Sequence, residues 1–282
     1  LFEDIGYIVN YKKLNSSNFG CAQSRERVYI VCTKDNIFNF QDIKYKPKVN
    51  LNSIIDYTDK HTKINSTFCK KILQLHKESP LFGCNLWDYR GGKNNIHSWD
   101  IGFNGTLNKD EKELMHKIML NRRKKHWAEK KNIVWMDGIP LTYEDITTFY
   151  KHNNLKNMLD NLVVMKYLRL EKPKDLVNGK RKYKKELPEG YNICRGKLSF
   201  PISEILDPNH ISPTLTATDS HKLAVIIDES TIRNLSSTEM KKICGFPDTF
   251  VVPEHVNYGD LFGNMATPPV IKEIFEVLLK NM

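Results

Sequence analysis

The segment Leu14–Thr33 reads LNSSNFGCAQSRERVYIVCT and runs from small polar residues into β-branched and aromatic ones. Its end, Arg27–Thr33, predicts a buried strand, because such residues pack well in a sheet that is covered on both faces. Directly before this strand, Gln23, Arg25 and Arg27 form a Gln-x-Arg-x-Arg pattern. Side chains two residues apart on a strand point to the same side, so both arginines could fork onto phosphates or a base carbonyl. Taken alone, the pattern is more often a surface charge cluster.

Further along the chain the signals for secondary structure are uneven. Lys112–Lys131 predicts one helix, with Leu114, Met115, Ile118 and Met119 on one stripe. Residues 171–197 carry Lys, Gly and Pro and are more typical of a loop, whereas Leu223–Ile227 predicts a short strand.

The last fifty residues contain clear helix signals. Ser236 and Glu239 have the spacing of a capping box, and Gly245 is placed to end the helix that this box begins. Pro268 lies at the start of a final helix, where a residue without N–H is tolerated. That helix has an almost wholly apolar face, so we expect it to be buried against a larger body. Its apolar residues are Val270, Ile271, Ile274, Phe275, Val277 and Leu278.

Composition sets the broad class of the protein. The 282 residues are 40% hydrophobic and 27% charged, which is typical of one large or two ordinary globular domains. The six cysteines are widely spaced without a Cys-x-x-Cys pair, which argues against a disulfide scaffold or a zinc module and favours reduced cytoplasmic thiols. No apolar run approaches the roughly 18–20 residues of a membrane span, and no signal peptide opens the chain. Since the first residue is Leu1, we expect a piece of a longer protein.

The net charge of +10 is unevenly distributed along the chain. Residues 101–200 hold 22 basic and 12 acidic residues, whereas residues 201–282 hold 6 and 11. The densest basic clusters are Arg122-Arg123-Lys124-Lys125 and Lys180-Arg181-Lys182 with Lys184 and Lys185. A basic middle region favours a surface that meets a nucleic acid, although a solvated helix face or loop explains each cluster alone equally well.

Four segments together resemble the cytosine-C5 DNA methyltransferases, in the order of that family. Leu14–Thr33 resembles its motif VIII, in which a loop of the form Asn-x-x-x-Phe/Tyr-Gly precedes Gln-x-Arg-x-Arg. Ser212–Ala217 (SPTLTA) is similar to the Thr-Leu element near the end of the target recognition domain. Residues 233–250, with Gly-Phe-Pro-Asp, resemble motif IX, and Gly263–Pro269 (GNMATPP) is similar to motif X, although Met265 replaces the usual serine.

Other motifs of that family do not occur in the chain. There is no Pro-Cys dipeptide, no glycine-rich cofactor loop and no Glu-Asn-Val segment. The resemblance therefore covers the C-terminal half of the family pattern, and we interpret the six cysteines as structural or incidental. It implies a missing N-terminal catalytic half, either in the same polypeptide or in a separate subunit.

The resemblance also implies roles for individual residues. Gln23, Arg25 and Arg27 would support catalysis by holding a cytosine that is flipped out of double-stranded DNA. Thr214 and Thr216 would contact the DNA backbone, and Asn264 and Met265 would line the pocket for S-adenosylmethionine. The basic region, with Arg122, Arg123, Lys124 and Lys125, would grip phosphates. No metal is implied.

The architecture implied is α/β in two parts. Residues 1–44 and 261–282 would belong to the C-terminal part of a Rossmann-like class I methyltransferase domain, and residues 45–260, including motif IX, would form an α+β target recognition domain. The function implied is methyl transfer to C5 of cytosine in a specific DNA sequence, with restriction–modification as the context. The alternatives are a non-catalytic DNA-binding specificity subunit and a fragment of an RNA-cytosine methyltransferase.

Overall fold

A computed structural model describes residues 2–35, 37–59, 64, 67–88, 91–194, 200–253 and 255–280. The strands in these ranges are β1 (Ile8–Asn15), β2 (Glu26–Thr33), β3 (Cys84–Leu86), β4 (Asn95–Ile96), β5 (Leu168–Glu171), β6 (Lys174–Val177), β7 (Lys180–Tyr183), β8 (Gly190–Ile193), β9 (Glu204–Ile205), β10 (Leu223–Asp228) and β11 (Thr231–Asn234). The α-helices are α1 (Thr67–Glu78), α2 (Ser98–Ile101), α3 (Lys109–Asn121), α4 (Lys125–Lys130), α5 (Tyr143–Thr147), α6 (Leu155–Val164), α7 (Ser237–Ile243), α8 (Tyr258–Asn264) and α9 (Pro268–Lys280). None of these helices is long and apolar enough to cross a membrane.

The chain divides into two compact units. The first unit comprises Leu1–Asn65, Leu81–Gly83 and Ile202–Met282, and the second comprises Ser66–Pro80 and Cys84–Pro201. The predicted boundaries, 1–44, 45–260 and 261–282, do not coincide with these units, because the segment that carries motif IX packs with the segment that carries motif VIII. Both units contain helices and strands, which confirms a mixed α/β fold. The assignment of a Rossmann-like part and a recognition domain stays a prediction.

Strands β1 and β2 form an antiparallel two-stranded ribbon in the first unit, from Ile8 opposite Thr33 to Asn15 opposite Glu26. One face of the ribbon contributes Leu14 and Val31 to an apolar cluster with helix α9. On the other face, Val28 and Ile30 are each 61% exposed. The prediction of a strand here is confirmed, but its burial is wrong, because only one face of this ribbon is covered in the part of the chain that the structure describes.

The remainder of the first unit centres on strand β10, which pairs parallel with β9 and antiparallel with β11. The predicted capping box of Ser236 and Glu239 starts α7, and Gly245 follows that helix with a φ of +78°. Helix α9 begins at Pro268 as predicted, but its apolar face is covered only in part, since Phe275 is 57% exposed. The chain thus follows its helix signals closely in this unit.

The core of the second unit is one large apolar cluster that includes Trp99, Met115, Ile118, Leu159 and Tyr167. The single helix predicted over 112–131 is instead two helices, α3 and α4, separated by a turn, although the predicted apolar stripe is buried as expected. The loop predicted for 171–197 is wrong: β6 pairs with β7 there, and β8 pairs with β5. Residues 195–199 of that segment lie outside the described residues.

Candidate functional site

The candidate site forms around the start of strand β2, where Arg25 is buried in the first unit. Only 3% of this side chain is exposed. Its guanidinium donates to the carbonyl of Leu215 at 3.1 Å, to that of Gly263 at 2.8 Å and to that of Met265 at 2.9 Å. Because these carbonyls belong to two distant segments, one arginine side chain fastens motif VIII to the Thr-Leu element and to motif X.

Gln23, two residues before Arg25, also connects motif VIII to distant segments of the chain. Its side chain is fully buried, its amide nitrogen donates to the sulfur of Cys244 at 3.4 Å, and its amide oxygen accepts from the N–H of Leu215 at 3.4 Å. An isolated β-bridge pairs Gln23 with Ser212. Gln23 therefore ties motif VIII to motif IX and to the Thr-Leu element. The four segments identified in the sequence, which lie up to 240 residues apart, meet at one place.

Arg27 has a different environment from Arg25. It is exposed, and its guanidinium donates locally, to the carbonyl of Glu26 at 2.7 Å. The two arginines predicted to act together therefore differ in burial. The Arg25 guanidinium donates to backbone carbonyls inside the protein, whereas the Arg27 guanidinium is at the surface.

Thr214 and Thr216 of the Thr-Leu element also differ in exposure. The Thr214 hydroxyl donates to the carbonyl of Ser24 at 2.5 Å, which fixes this element to motif VIII. Thr216 is exposed, and its hydroxyl accepts the N–H of Asp219 at 3.3 Å. Of the pair, Thr216 has its hydroxyl at the surface, where a phosphate could be reached.

The motif X residues lie at the end of helix α8. Asn264 is exposed, and no hydrogen bond of its side-chain amide is found within the described residues. Met265 is partly buried and packs at the edge of the apolar cluster around Leu215, while its carbonyl accepts from Arg25. An amide that is exposed beside a backbone held by Arg25 fits the role of a ligand-binding group.

Motif IX is held by a buried ion pair that the sequence reasoning did not identify. The Arg233 guanidinium donates to both carboxylate oxygens of Glu239 at 2.7 Å, and both side chains are almost fully buried. Glu239 also accepts the N–H of Asp56 at 2.9 Å, and Arg233 donates to the carbonyl of Asp56 at 2.7 Å. The capping box was visible in the sequence, but its connection to a residue about 180 positions away was not.

The cysteines nearest the candidate site are poor nucleophiles. Cys21 and Cys244 are both buried, and burial raises the pKa of each thiol to about 12. Since the thiolate is the reactive form, neither thiol is suited to covalent catalysis near neutral pH. Both have the properties expected of structural cysteines.

The basic cluster predicted to bind DNA is only partly available in the second unit. Arg122 is fully buried and donates to the side-chain oxygen of Asn192 at 2.8 Å, so its predicted phosphate contact is wrong. Arg123 pairs with Asp137 at 2.7 Å, and Lys125 pairs with Glu129 at 3.1 Å, whereas Lys124 is exposed before helix α4. Because Arg122 lies within a run of basic residues, nothing in the local sequence indicates that its side chain is buried in the core.

A group of possible metal ligands also lies in the second unit. The ligand atoms of His97, Asp100 and His116 all fall within 4.8 Å of one another. They form a hydrogen-bonded network, since Asp100 contacts His97 at 2.9 Å and His116 at 3.2 Å. Burial alone would raise the pKa of Asp100, but hydrogen bonds from His116 and His97 outweigh it and hold that pKa well below its usual range.

Comparison with known proteins identifies the family. The family model described as C-5 cytosine-specific DNA methylase matches residues 1–280. The chain therefore belongs to the C-5 cytosine-specific DNA methylase family.

Curated relatives include type II methyltransferases. The chain is 42% identical over 284 residues to M.NlaIV of Neisseria lactamica, with 99% of the chain and 66% of that protein covered. It is 42% identical to M.NgoBV of Neisseria gonorrhoeae with the same coverage, and 32% identical to M.BanI of Aneurinibacillus aneurinilyticus, of which it covers 65%. The chain thus spans just under two thirds of the length of these relatives, which is more than the half expected from the motifs.

A solved DNMT2 mutant from Spodoptera frugiperda is similar over 99% of this chain and 60% of its own, at 12% identity and a TM-score of 0.38. A similarity at this level carries no argument about the fold.

Proposed function

We propose that the chain is the DNA-recognising part of a DNA (cytosine-5-)-methyltransferase from a type II restriction–modification system, acting on double-stranded DNA in the cytoplasm. The observation that carries this proposal is the convergence on Arg25 and Gln23 of motif VIII, the Thr-Leu element, motif IX and motif X. Family membership and the type II relatives support it.

The reaction would transfer a methyl group to C5 of a cytosine that has left the duplex, at a cost of a few kcal/mol in stacking and pairing. Arg27 would then contact the flipped nucleotide, because its guanidinium is exposed at the start of β2. Gln23 and Arg25 would act as positioning residues, since their side chains are used within the protein. Thr216 would contact the DNA backbone beside the target, with Thr214 fixing the element that carries it.

S-adenosylmethionine would supply the methyl group when bound. Asn264 fits a role in holding it, since its amide is exposed and the adjoining carbonyls of Gly263 and Met265 are fixed by Arg25. Met265 has no hydroxyl to offer, so its contribution would be its backbone and its apolar side chain.

The nucleophile and the main cofactor loop would come from a catalytic part outside this chain, in the same polypeptide or in a separate subunit. The lack of Pro-Cys and the high pKa of Cys21 and Cys244 support this. The extra length of the relatives also supports it. The exposed apolar face of ribbon β1–β2, with Val28 and Ile30, offers a surface on which that part would pack.

The test uses a chimera in which the third of M.NlaIV that this chain does not match completes the enzyme. Arg27→Ala in the chimera should lower the rate of methyl transfer at least tenfold, with a much smaller loss of duplex DNA affinity. A group that engages the flipped base acts after docking, so it affects the rate more than the binding. Rates come from labelled methyl incorporation, and affinities come from binding isotherms.

Lys48→Ala provides the control, because Lys48 is an exposed cation of the first unit that lies outside the β1–β2 ribbon and outside the four motif segments. It should leave both the rate and the affinity nearly unchanged. Equal losses of rate and affinity in Arg27→Ala would make Arg27 an ordinary phosphate contact and would contradict its proposed role.

A further inference from the structure

Strands β6 and β7 form a small antiparallel ribbon in the second unit. Lys174 lies opposite Tyr183, and Val177 lies opposite Lys180. The turn between them is Asn178-Gly179, with φ values of +53° and +71°. Two left-handed residues of this type are the signature of a type I′ turn, whose twist matches that of a two-stranded ribbon.

The ribbon carries positive charge that is not neutralised locally. All four residues of β7 are exposed, and Lys180, Arg181 and Lys182 have no acidic partner within 4 Å among the residues that the structure describes. The predicted cluster in the same unit is different, since Arg123 and Lys125 are paired with carboxylates and Arg122 is buried. Of the two basic clusters identified in the sequence, the one on the ribbon therefore keeps more of its charge unpaired among the described residues.

The base of the ribbon is held firmly. The Asp175 carboxylate accepts the N–H groups of Val134 at 2.9 Å and Trp135 at 3.2 Å, which ties β6 to a segment about 40 residues earlier in the chain. These backbone hydrogen bonds lower the pKa of Asp175. The Arg181 guanidinium lies over the ring of Trp135, 5.2 Å from its centroid. The cations are therefore displayed on an element that is ordered before any ligand binds.

We infer that the β6–β7 ribbon is the element with which the second unit engages duplex DNA, by entry into the major groove. The inference rests on the proposed function and adds the DNA-contacting surface. A major groove about 12 Å wide admits a two-stranded ribbon.

Alternation along β7 puts Lys180 and Lys182 on one face, whereas Arg181 is on the other face and lies over Trp135. The two lysines are therefore the cations that phosphates along the groove would meet. The ribbon also has exposed apolar side chains close to its tip, on Leu176 and Val177. Apolar side chains of this kind can contact the methyl group of thymine.

The test compares two double variants of the full chain in binding to a duplex over a range of salt concentrations. Lys180→Gln with Lys182→Gln removes two cations from the ribbon and leaves Arg181 on Trp135. Lys109→Gln with Lys117→Gln removes the same charge from exposed positions of α3. The ribbon variant should lose about tenfold or more in affinity, and its slope of log affinity against log salt should fall by about 1.8, or about 0.9 for each phosphate contact.

The control variant should change affinity less than threefold. Equal losses in both variants, or none in the ribbon variant, would overturn the inference and leave the proposed function standing. A failure of the unaltered chain to bind duplex DNA would overturn both. Should the ribbon variant unfold at a lower temperature than the unaltered chain, the single variant Lys180→Gln provides a second comparison, and its slope should fall by about 0.9.

Two further measurements identify the surface on the nucleic acid. Methyl green, which occupies the major groove, should compete with the chain, whereas netropsin, which occupies the minor groove, should not. Competition by netropsin alone would overturn the groove assignment. Tighter binding to single-stranded RNA than to duplex DNA, lost in the ribbon variant, would assign the ribbon to RNA and overturn the inference.

Discussion

Arg25 and Arg27 show how far two residues of one motif can differ in role. Arg25→Ala would leave the carbonyls of Leu215, Gly263 and Met265 without their donor in a buried site. Because unpaired buried polar groups are costly, we expect a loss of about 3 kcal/mol or more in the free energy of unfolding. Arg27→Ala, at an exposed position, should change it by less than about 0.5 kcal/mol. Urea unfolding of both variants measures these losses. Equal losses of unfolding free energy would contradict the structural role of the Arg25 hydrogen bonds.

Asp88 is a buried carboxylate of the second unit. Its carboxylate is 2% exposed, one oxygen accepts the N–H of Ser98 at 2.7 Å, and the other has no hydrogen-bond partner among the described residues. Burial raises the pKa of Asp88 from 3.8 to about 6. The folded chain therefore binds this proton more tightly than the unfolded chain, so the contribution of Asp88 to stability falls as pH rises from about 4 to about 6.

Asp88→Asn removes this titration and keeps an oxygen that can accept from Ser98. The unfolding free energy of the variant relative to the unaltered chain should rise by about 2–3 kcal/mol between pH 4 and pH 7. Unfolding curves at several pH values measure the difference. A difference that does not depend on pH would show that Asp88 titrates normally.

At the residue scale, the sequence could identify motif members but not their burial. Gln23 and Arg25 were found by pattern, yet both are tied to segments about 190 to 240 positions away, and such contacts leave no local signal. Arg122 lies within a basic run, and its burial depends on Asn192, some 70 residues away. Charge alone therefore assigned it to the surface.

At the scale of elements, Gly245 is required where helix α7 ends. Its φ of +78° is unfavourable for other residues, and a Cβ there would lie 2.5 Å from Pro269 and 2.9 Å from the sulfur of Cys21. Gly245→Ala should therefore cost about 2–4 kcal/mol, as the sum of backbone strain and overpacking. The matched control is Gly6→Ala, with a φ of +86° and open space around the added methyl, which should cost about 1 kcal/mol. Denaturant unfolding compares the two, and equal costs would contradict this packing.

Elements with strong local signals were predictable. The capping box of α7, the start of α9 and strand β10 follow from residues within a few positions of each other. Strands β6 and β7 were missed because they are short, rich in lysine and exposed, so they lack the apolar alternation that marks a strand. The burial of β2 was overestimated because its β-branched residues suit a covered sheet, whereas one face is left exposed by the residues that the structure describes.

In the whole molecule, the motif segments and the basic region of the sequence lie in different units. The first unit holds the motif VIII, IX and X segments around Arg25, and the second unit holds the basic middle of the chain with the β6–β7 ribbon. The two units do not follow the boundaries predicted from linear order, because distant segments share one apolar cluster, with Ala22, Leu215 and Met240 among its members. Linear order could not reveal this clustering.

We propose that this chain carries recognition and depends on another part for the nucleophile. The most direct measurement is the incorporation of labelled methyl groups from S-adenosylmethionine into duplex DNA, by the purified chain and by its chimera with the unmatched third of M.NlaIV. We predict duplex binding by both proteins, methyl transfer to cytosine C5 by the chimera, and no transfer above background by the chain alone, because Cys21 and Cys244 are buried with a pKa of about 12. Methyl transfer by the chain alone would contradict the account, as would a folded, DNA-binding chimera that transfers none.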